Sequence, residues 1–297
     1  MSTPSPARTA ATGATLVIGA TGTTGGRTAA RLTAAGHLVR AASRKGTPLA
    51  GTDPVRFDWY DPATHAPALR GVDRVYVVPP VGDPEPARVV LPFLRRARAL
   101  GVRRAVLLSA SAIPAGGPAV GRVHAALPEV FDEWAVLRPS WFMQNFTGEH
   151  AHAHSARTEG ALWTATGDGR VGFVDAEDIA AVAVHALTDP TPLNTDLVLT
   201  GPEALGYDDI ARILSEVTGR PVTHRRLTHD ALRDRLAVLL PPEFAAMLAD
   251  MDRAIAEGAE ARVTDTVHRL TGRPPHDFRT VVQREATARP LPSPALD

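Results

Sequence analysis

The stretch Leu16-Val17-Ile18-Gly19-Ala20-Thr21-Gly22-Thr23-Thr24-Gly25-Gly26 decides how the rest of the chain is read. A short apolar run bounded by glycine has the character of a strand buried on both faces. Behind it, Arg27 to Leu32 has helical character, and Gly36 stops the helix. Strand, glycine turn and helix together are the setting that a dinucleotide-binding fingerprint requires. Gly19 lets the chain turn sharply, Gly22 lets a pyrophosphate approach the backbone, and Gly25 lets helix and strand pack closely. Thr21, Thr23 and Thr24 stand in the same turn and are counted with it as cofactor-binding residues. The helix N-terminus then faces the phosphates with free N–H groups and the positive end of its dipole. The spacing is G-x-x-G-x-x-G, the form associated with short-chain and extended dehydrogenase-like chains.

The 297 residues suffice for a sizeable core, with 44% hydrophobic and 22% charged residues, both globular values. With 32 basic and 32 acidic residues, no overall field draws the chain to nucleic acid or to an acidic membrane. No apolar run reaches the roughly 18 residues of a membrane span. There is no cysteine, so disulfides and thiolate chemistry are excluded, which is compatible with a reducing, cytoplasmic setting. Met1–Gly13 reads as a disordered tail without the layout of a signal peptide. Lys45 is the only lysine, so no other position can supply one for phosphate binding, a Schiff base or a proton relay.

Outward from the fingerprint, His37–Ala42 is a second strand ending in Ser43-Arg44-Lys45. NAD-specific sites place an acid about 20 residues beyond the glycines to hold the ribose diol. Here no acid occurs before Asp53; a hydroxyl and two cations stand in that place and suit a 2′-phosphate. NADP(H) is therefore the expected cofactor. Val55–Phe57 is a short third strand, and Asp58 beyond it either accepts from an adenine amino group or caps the next helix. Asp73–Val78 is the fourth strand; Pro79-Pro80 closes it and offers a flat, dry wall for the nicotinamide. Val89–Leu100 is the crossover helix. Ala105–Leu108 is the fifth strand and delivers Ser109-Ala110-Ser111 to its carboxyl end, where open α/β sheets bind ligands. A helix from about 119 to 130 carries His124. Trp134–Leu137 is the sixth strand, running into Arg138-Pro139-Ser140-Trp141-Phe142-Met143-Gln144-Asn145-Phe146. In a chain only 5% aromatic, that dense segment is expected over the cofactor, lining a largely apolar pocket.

His150, His152 and His154 alternate, but only His150 and His154 would share a helix face, and no third ligand is evident. No metal is expected. Asp175 fits an N-cap with Asp178 at the third helical position, structural roles for both. Leu197–Thr200 is a further strand. From Tyr207 the chain reads as helices at about 207–218, 228–238, 241–257 and 276–286. The expected architecture is a Rossmann-type, doubly wound parallel sheet with a smaller, mostly helical C-terminal part that caps the substrate. Its dinucleotide-binding domain spans 14–148, completed by about 171–202. The capping part is 149–170 and 203–288, and 289–297 is a frayed tail.

Three stretches coincide: Gly19-Ala20-Thr21-Gly22-Thr23-Thr24-Gly25, Leu137 to Phe146, and Val174-Asp175-Ala176-Glu177-Asp178-Ile179-Ala180. Together they resemble the NmrA-like branch of atypical short-chain dehydrogenases/reductases, similar to ergot-alkaloid-type NAD(P)-binding reductases and bacterial relatives. The resemblance covers about residues 14 to 285. It implies cofactor contacts at Gly19, Thr21, Gly22, Thr24, Gly25, Arg44, Asp58, Pro79 and Ser109, and places Trp141, Phe142 and Asn145 near the nicotinamide or substrate. Ser43, Lys45, Pro80 and Pro139 are added as cofactor neighbours, and Ser111 as a substrate neighbour. His124 matches the place where the wider superfamily keeps a lysine, and Val120 the place of its tyrosine. No Tyr-x-x-x-Lys exists, because Lys45 follows Ala41 at that spacing.

The expected activity is NADPH-dependent reduction of a small, largely apolar secondary metabolite, an imine or iminium, quinone, enone or ketone. His124, Asn145 and Ser109 are the catalytic candidates. A non-catalytic NADP(H) sensor and an isomerase or cyclase using bound cofactor are the alternatives. A monomer or homodimer is expected.

Overall fold

The structure is a computed structural model and describes residues 13–288; apart from Gly13, the tails expected at 1–13 and 289–297 lie outside the described residues. The first half alternates β1 (Ala14–Ile18), α1 (Thr23–Ala34), β2 (Val39–Ser43), β3 (Asp53–Arg56), α2 (His65–Ala68), β4 (Val72–Val77), α3 (Ala87–Ala99), β5 (Arg104–Leu108), α4 (Gly121–Val130) and β6 (Glu133–Pro139). Then come α5 (Ala151–Thr158), β7 (Ala161–Thr164), β8 (Arg170–Val171), α6 (Ala176–Thr188) and β9 (Thr195–Leu199). The remainder is β10 (Leu205–Gly206), α7 (Tyr207–Thr218), β11 (Thr223–Arg226), α8 (His229–Ala237), α9 (Pro242–Ala256), α10 (Thr266–Thr271) and α11 (Phe278–Ala288).

Seven strands form one sheet in the order β3-β2-β1-β4-β5-β6-β9, every pair parallel. This is the expected Rossmann-type sheet. Chain order reverses between β1 and β4, so the crevice for a ligand opens beyond the carboxyl end of β1, at Gly19. Apolar runs without alternation are what strands covered on both faces require. Leu16, Ile18, Val75, Val77, Leu107 and Val136 meet Phe93 and Leu94 of α3 and Val123 and Leu127 of α4. On the opposite face Val17, Tyr76, Val106, Ala135 and Leu137 meet Ala29 and Leu32 of α1 and Ile179, Val182 and Ala183 of α6.

A third cluster gathers Met143, Phe146, Leu162, Phe173, Tyr207, Ile210, Leu214, Phe278 and Val281 beyond the sheet. The C-terminal region is not the all-helical tail expected. β10 pairs antiparallel with β8, β11 pairs parallel with β7, and α10 adds a short helix. Strand β11 is Thr223-His224-Arg225-Arg226, too short and too polar to carry a period-two signal. Among the described residues, no helix is long and apolar enough to cross a membrane.

Candidate active site

The glycine turn closes tightly and packs directly against α1. Gly19 has φ +73°, a left-handed conformation that glycine adopts without the Cβ clash of other residues. The amide of Gly22 donates to the Gly19 carbonyl at 2.8 Å, closing the turn. A Cβ on Gly25 would fall 2.2 Å from the Gly19 oxygen, so helix and turn touch at a point where only hydrogen fits. Gly22 is the N-cap of α1, with no side-chain cap and no acid in the first turn. No side chain caps the first N–H groups of α1. Thr21, Gly22 and Thr23 are exposed, whereas Thr24 is buried beside Thr28 and Tyr76, whose phenol burial pushes up to about 12.

The parallel sheet brings the other candidates to the same edge. Ser43 ends β2, and Arg44 and Lys45 follow it; Pro79 and Pro80 follow β4; Ser109 follows β5; Pro139 ends β6. Arg44 and Lys45 are exposed and pair with no acid among the described residues. The Ser43 hydroxyl accepts from the Thr47 amide at 2.9 Å and so shapes this basic turn. Asp58 does not cap the following turn, which settles one of its two readings. Its Oδ1 accepts from Tyr60 N at 3.0 Å, while Asp61 caps the turn at 62–64 through Ala63 N. The Ser109 hydroxyl oxygen is sealed from solvent without a hydrogen-bond partner. A buried orphan of this kind is a cost that a bound hydroxyl or amide would relieve.

A cleft of about 860 Å³ runs from Thr21–Thr23 past Phe142 and Asn145 to Gly148–His150 and α11. Its lining mixes the apolar Phe142 with the polar side chains of Arg27, Gln144, Thr147, Glu149, Arg284 and Glu285. The aromatic segment splits after β6. Phe142 and Asn145 face the cleft, whereas Met143 and Phe146 are buried in the third cluster and Trp141 packs against it. The Asn145 side-chain amide has no partner among the described residues.

Gln144, which sequence reading did not single out, organises the cleft floor. Its Nε2 donates to Asp175 Oδ1 and to Glu285 Oε1, both at 2.8 Å, and its Oε1 accepts from Ala176 N at 2.9 Å. Asp175 caps α6 as expected, accepting from Glu177 N. Burial pushes its carboxyl up, but the bidentate Arg284, the Glu177 amide and Gln144 outweigh burial and hold it below the usual range. Asp178 receives His276 N at 2.7 Å and Arg273 at 2.7 Å. Asp175, Asp178 and His276 lie within ligating distance of one another, yet Arg273 and Arg284 already neutralise both carboxylates. That cluster is an ion-pair network at the root of α6. His150 caps α5, and the ring of His152 stacks on Phe146 with centroids 5.4 Å apart.

Two candidates stand differently from the expectation. Ser111 is buried, and its hydroxyl donates to Glu260 at 2.7 Å, so it is committed inside the protein rather than free for a substrate. His124 is 6% exposed, and its Nδ1 is sealed without a partner. Burial pushes its pKa down; Asp196 opposes this and Arg138 adds to it, so the imidazole is neutral at pH 7. Val120 is buried in the core beside α4 and contributes no polar group.

Fold and site together define a dinucleotide-binding oxidoreductase of the doubly wound class. The NAD(P)H-binding family model matches residues 19–190, and the NmrA-like family model matches residues 133–273. The chain is 48% identical to an uncharacterized oxidoreductase of Bacillus subtilis over 89% of this chain and 92% of that one. It is 40% identical to agroclavine dehydrogenase of Claviceps fusiformis over 90% of this chain and 95% of that one. Its fold is similar to that of the NADPH-dependent quinone oxidoreductase of Escherichia coli solved with NADPH, with a TM-score of 0.76 at 22% identity over 91% and 99% of the two chains. The protein belongs to the NmrA-like, NAD(P)H-binding family.

Proposed function

We propose that the protein is an NADPH-dependent reductase whose acceptor takes hydride without concerted protonation, an iminium ion or a quinone in preference to a ketone or enone. The observation behind this reading is at α4. Val120 is buried where the wider superfamily keeps a phenol, and His124 is buried and neutral where it keeps a lysine. An uncharged C=O accepting hydride needs an acid positioned for the developing alkoxide. An iminium ion becomes a neutral amine on hydride transfer and needs none. A quinone yields a stabilised phenolate that solvent can protonate.

The residues in place fit the cofactor. The N-terminus of α1 holds the pyrophosphate, Arg44 and Lys45 hold the 2′-phosphate, and Pro79-Pro80 forms the wall beside the nicotinamide. Bound NADPH supplies the hydride. The chain binds it, excludes water and orients the acceptor, the last through the Asn145 amide. The name of the Claviceps relative supports an alkaloid-like, nitrogen-bearing acceptor, and a cleft that mixes Phe142 with Gln144, Glu149 and Glu285 offers such an acceptor both apolar and polar contacts. The test is NADPH oxidation at 340 nm against a panel of iminium ions, quinones, enones and ketones. Turnover with the first two classes and little with ketones is expected. Tight NADPH binding with no oxidation by any class would overturn the reading in favour of a redox sensor.

A further inference from the structure

We infer that Glu260 is a positioning residue for the hydride-transfer site, acting through Ser111 and Ser140 on the ends of β5 and β6; this rests on the reductase reading above. Glu260 lies in the strap between α9 and α10 and is only 4% exposed. Its Oε2 accepts from Ser111 Oγ at 2.7 Å and from Ser140 Oγ at 3.3 Å. Ser140 directly follows β6, and Ser111 lies just past β5, two residues beyond Ser109. The Ser111 carbonyl is gripped as well, accepting from Arg138 at 2.9 Å and from Arg262 of the same strap at 3.1 Å.

The strap continues across the sheet edge. The Glu260 carbonyl accepts from Gly172 N at 3.2 Å, Thr264 N donates to Thr200 Oγ1 at 2.9 Å, and Thr264 Oγ1 donates to the Val198 carbonyl at 2.9 Å. One segment therefore ties down the carboxyl ends of β5, β6 and β9. Arg262 and Glu260 thus grip Ser111 from the same strap, one at its carbonyl and the other at its hydroxyl. A leucine would fill the space without desolvating a carboxylate. What the carboxylate adds is direction, because one oxygen fixes two hydroxyls on two strand ends. Those ends carry Ser109 and the run from Trp141 to Asn145. Hydride transfer is sensitive to such placement, since a misplacement of about 1 Å can lower a rate about 100-fold.

The experiment compares Glu260→Gln and Glu260→Ala in the full chain with the wild type. Glutamine keeps an oxygen that both serines can donate to; alanine does not. For Glu260→Ala we expect kcat for a quinone acceptor to fall about 10-fold to 100-fold while the NADPH Kd stays within about twofold. We expect Glu260→Gln to retain most of the rate. Hydrogen exchange supplies a readout independent of turnover, and Glu260→Ala should speed exchange at 109–112 and 139–142 without speeding it across β1 and α1. Uniformly faster exchange, a glutamine variant as slow as the alanine one, or localised loosening with unchanged kcat would each overturn the inference. If none of the acceptor classes supports NADPH oxidation by the wild type, the reductase reading fails, while the exchange pattern still reports whether Glu260 orders these strand ends.

Discussion

The carbonyl oxygen of Gly19 lies 2.2 Å from the position that a Cβ on Gly25 would occupy. No rotamer relieves that contact, because both sides of it are backbone. Gly25→Ala must push α1 away from the turn that faces the pyrophosphate. It should cost about 1–3 kcal/mol of stability and abolish NADPH binding. Thermal melts with and without NADPH check this, and a normal ligand-induced rise in Tm for the variant would contradict it.

Cofactor choice should rest on Arg44 and Lys45, which are exposed and have no acidic partner among the described residues. A guanidinium free of internal commitments can give both its hydrogen bonds to a phosphate. Arg44→Ala should weaken NADPH binding by about 10-fold to 100-fold and leave NADH nearly unchanged. The measurement is a pair of fluorescence titrations on wild type and variant. Equal affinities for the two cofactors in the wild type would count against the assignment.

Two buried groups set the acid and neutral limbs of stability. The His152 ring, against Phe146 and Tyr207, is pushed down to about 3 by burial and by the neighbouring His150 and His224. The folded protein therefore holds it neutral, and the stability linked to this is complete above the unfolded value of about 6.5 and drains away as pH falls toward 3. His152→Phe should flatten that loss. Burial pushes Asp252 up to about 6, with the Ala165 amide opposing. Its folded pKa lies above the unfolded one, so its penalty grows as pH rises from about 4 to about 6 and persists at neutral pH. Asp252→Asn keeps an acceptor for Ala165 N and should raise stability at pH 8 by about 1–3 kcal/mol, with little change at pH 4. Urea melts across this range decide both.

The sheet was readable because its central strands are apolar runs punctuated by glycine, proline or a polar cluster, as at Val75–Val77 before Pro79-Pro80, whereas the edge strand β3, Asp53–Arg56, is polar and mostly exposed. The placement of the candidate cofactor residues at the carboxyl ends of the strands was readable for the same reason. The small pairings were not, because Thr223–Arg226 and Arg170–Val171 have no apolar alternation to betray a strand. Nor was the cleft floor. Ser111 and Glu260 are 149 positions apart, Gln144 and Glu285 are 141 apart, and no local pattern announces either pair. An amide at Gln144 beside an expected N-cap at Asp175 was the single available hint. Ser111 was misjudged because strand position locates a side chain at the edge without saying what already holds it.

The aromatic segment after β6 separates packing from function within five residues, and the last prediction uses that. Trp141 packs against the third cluster, whereas Asn145 faces the cleft with its amide uncommitted among the described residues. Trp141→Ala should therefore cost about 3 kcal/mol of stability, through lost burial and the void left behind. Asn145→Ala removes no packed volume and no internal hydrogen bond, so its melting temperature should stay near that of the wild type. If the amide orients the acceptor through one hydrogen bond, its loss should lower kcat/KM by about 10-fold, the equivalent of roughly 1.4 kcal/mol. The NADPH Kd should not follow. Asn145→Asp separates acceptor from donor, because it keeps acceptor oxygens, now charged, but loses the N–H donors. Near-normal turnover in the aspartate variant would mean that the oxygen accepts from the substrate, and failure would mean that the amide donates to it. Melts, NADPH titrations and acceptor kinetics on the three variants suffice. A weakened NADPH Kd in Asn145→Ala with unchanged turnover at saturating cofactor would assign this amide to the dinucleotide instead of the acceptor.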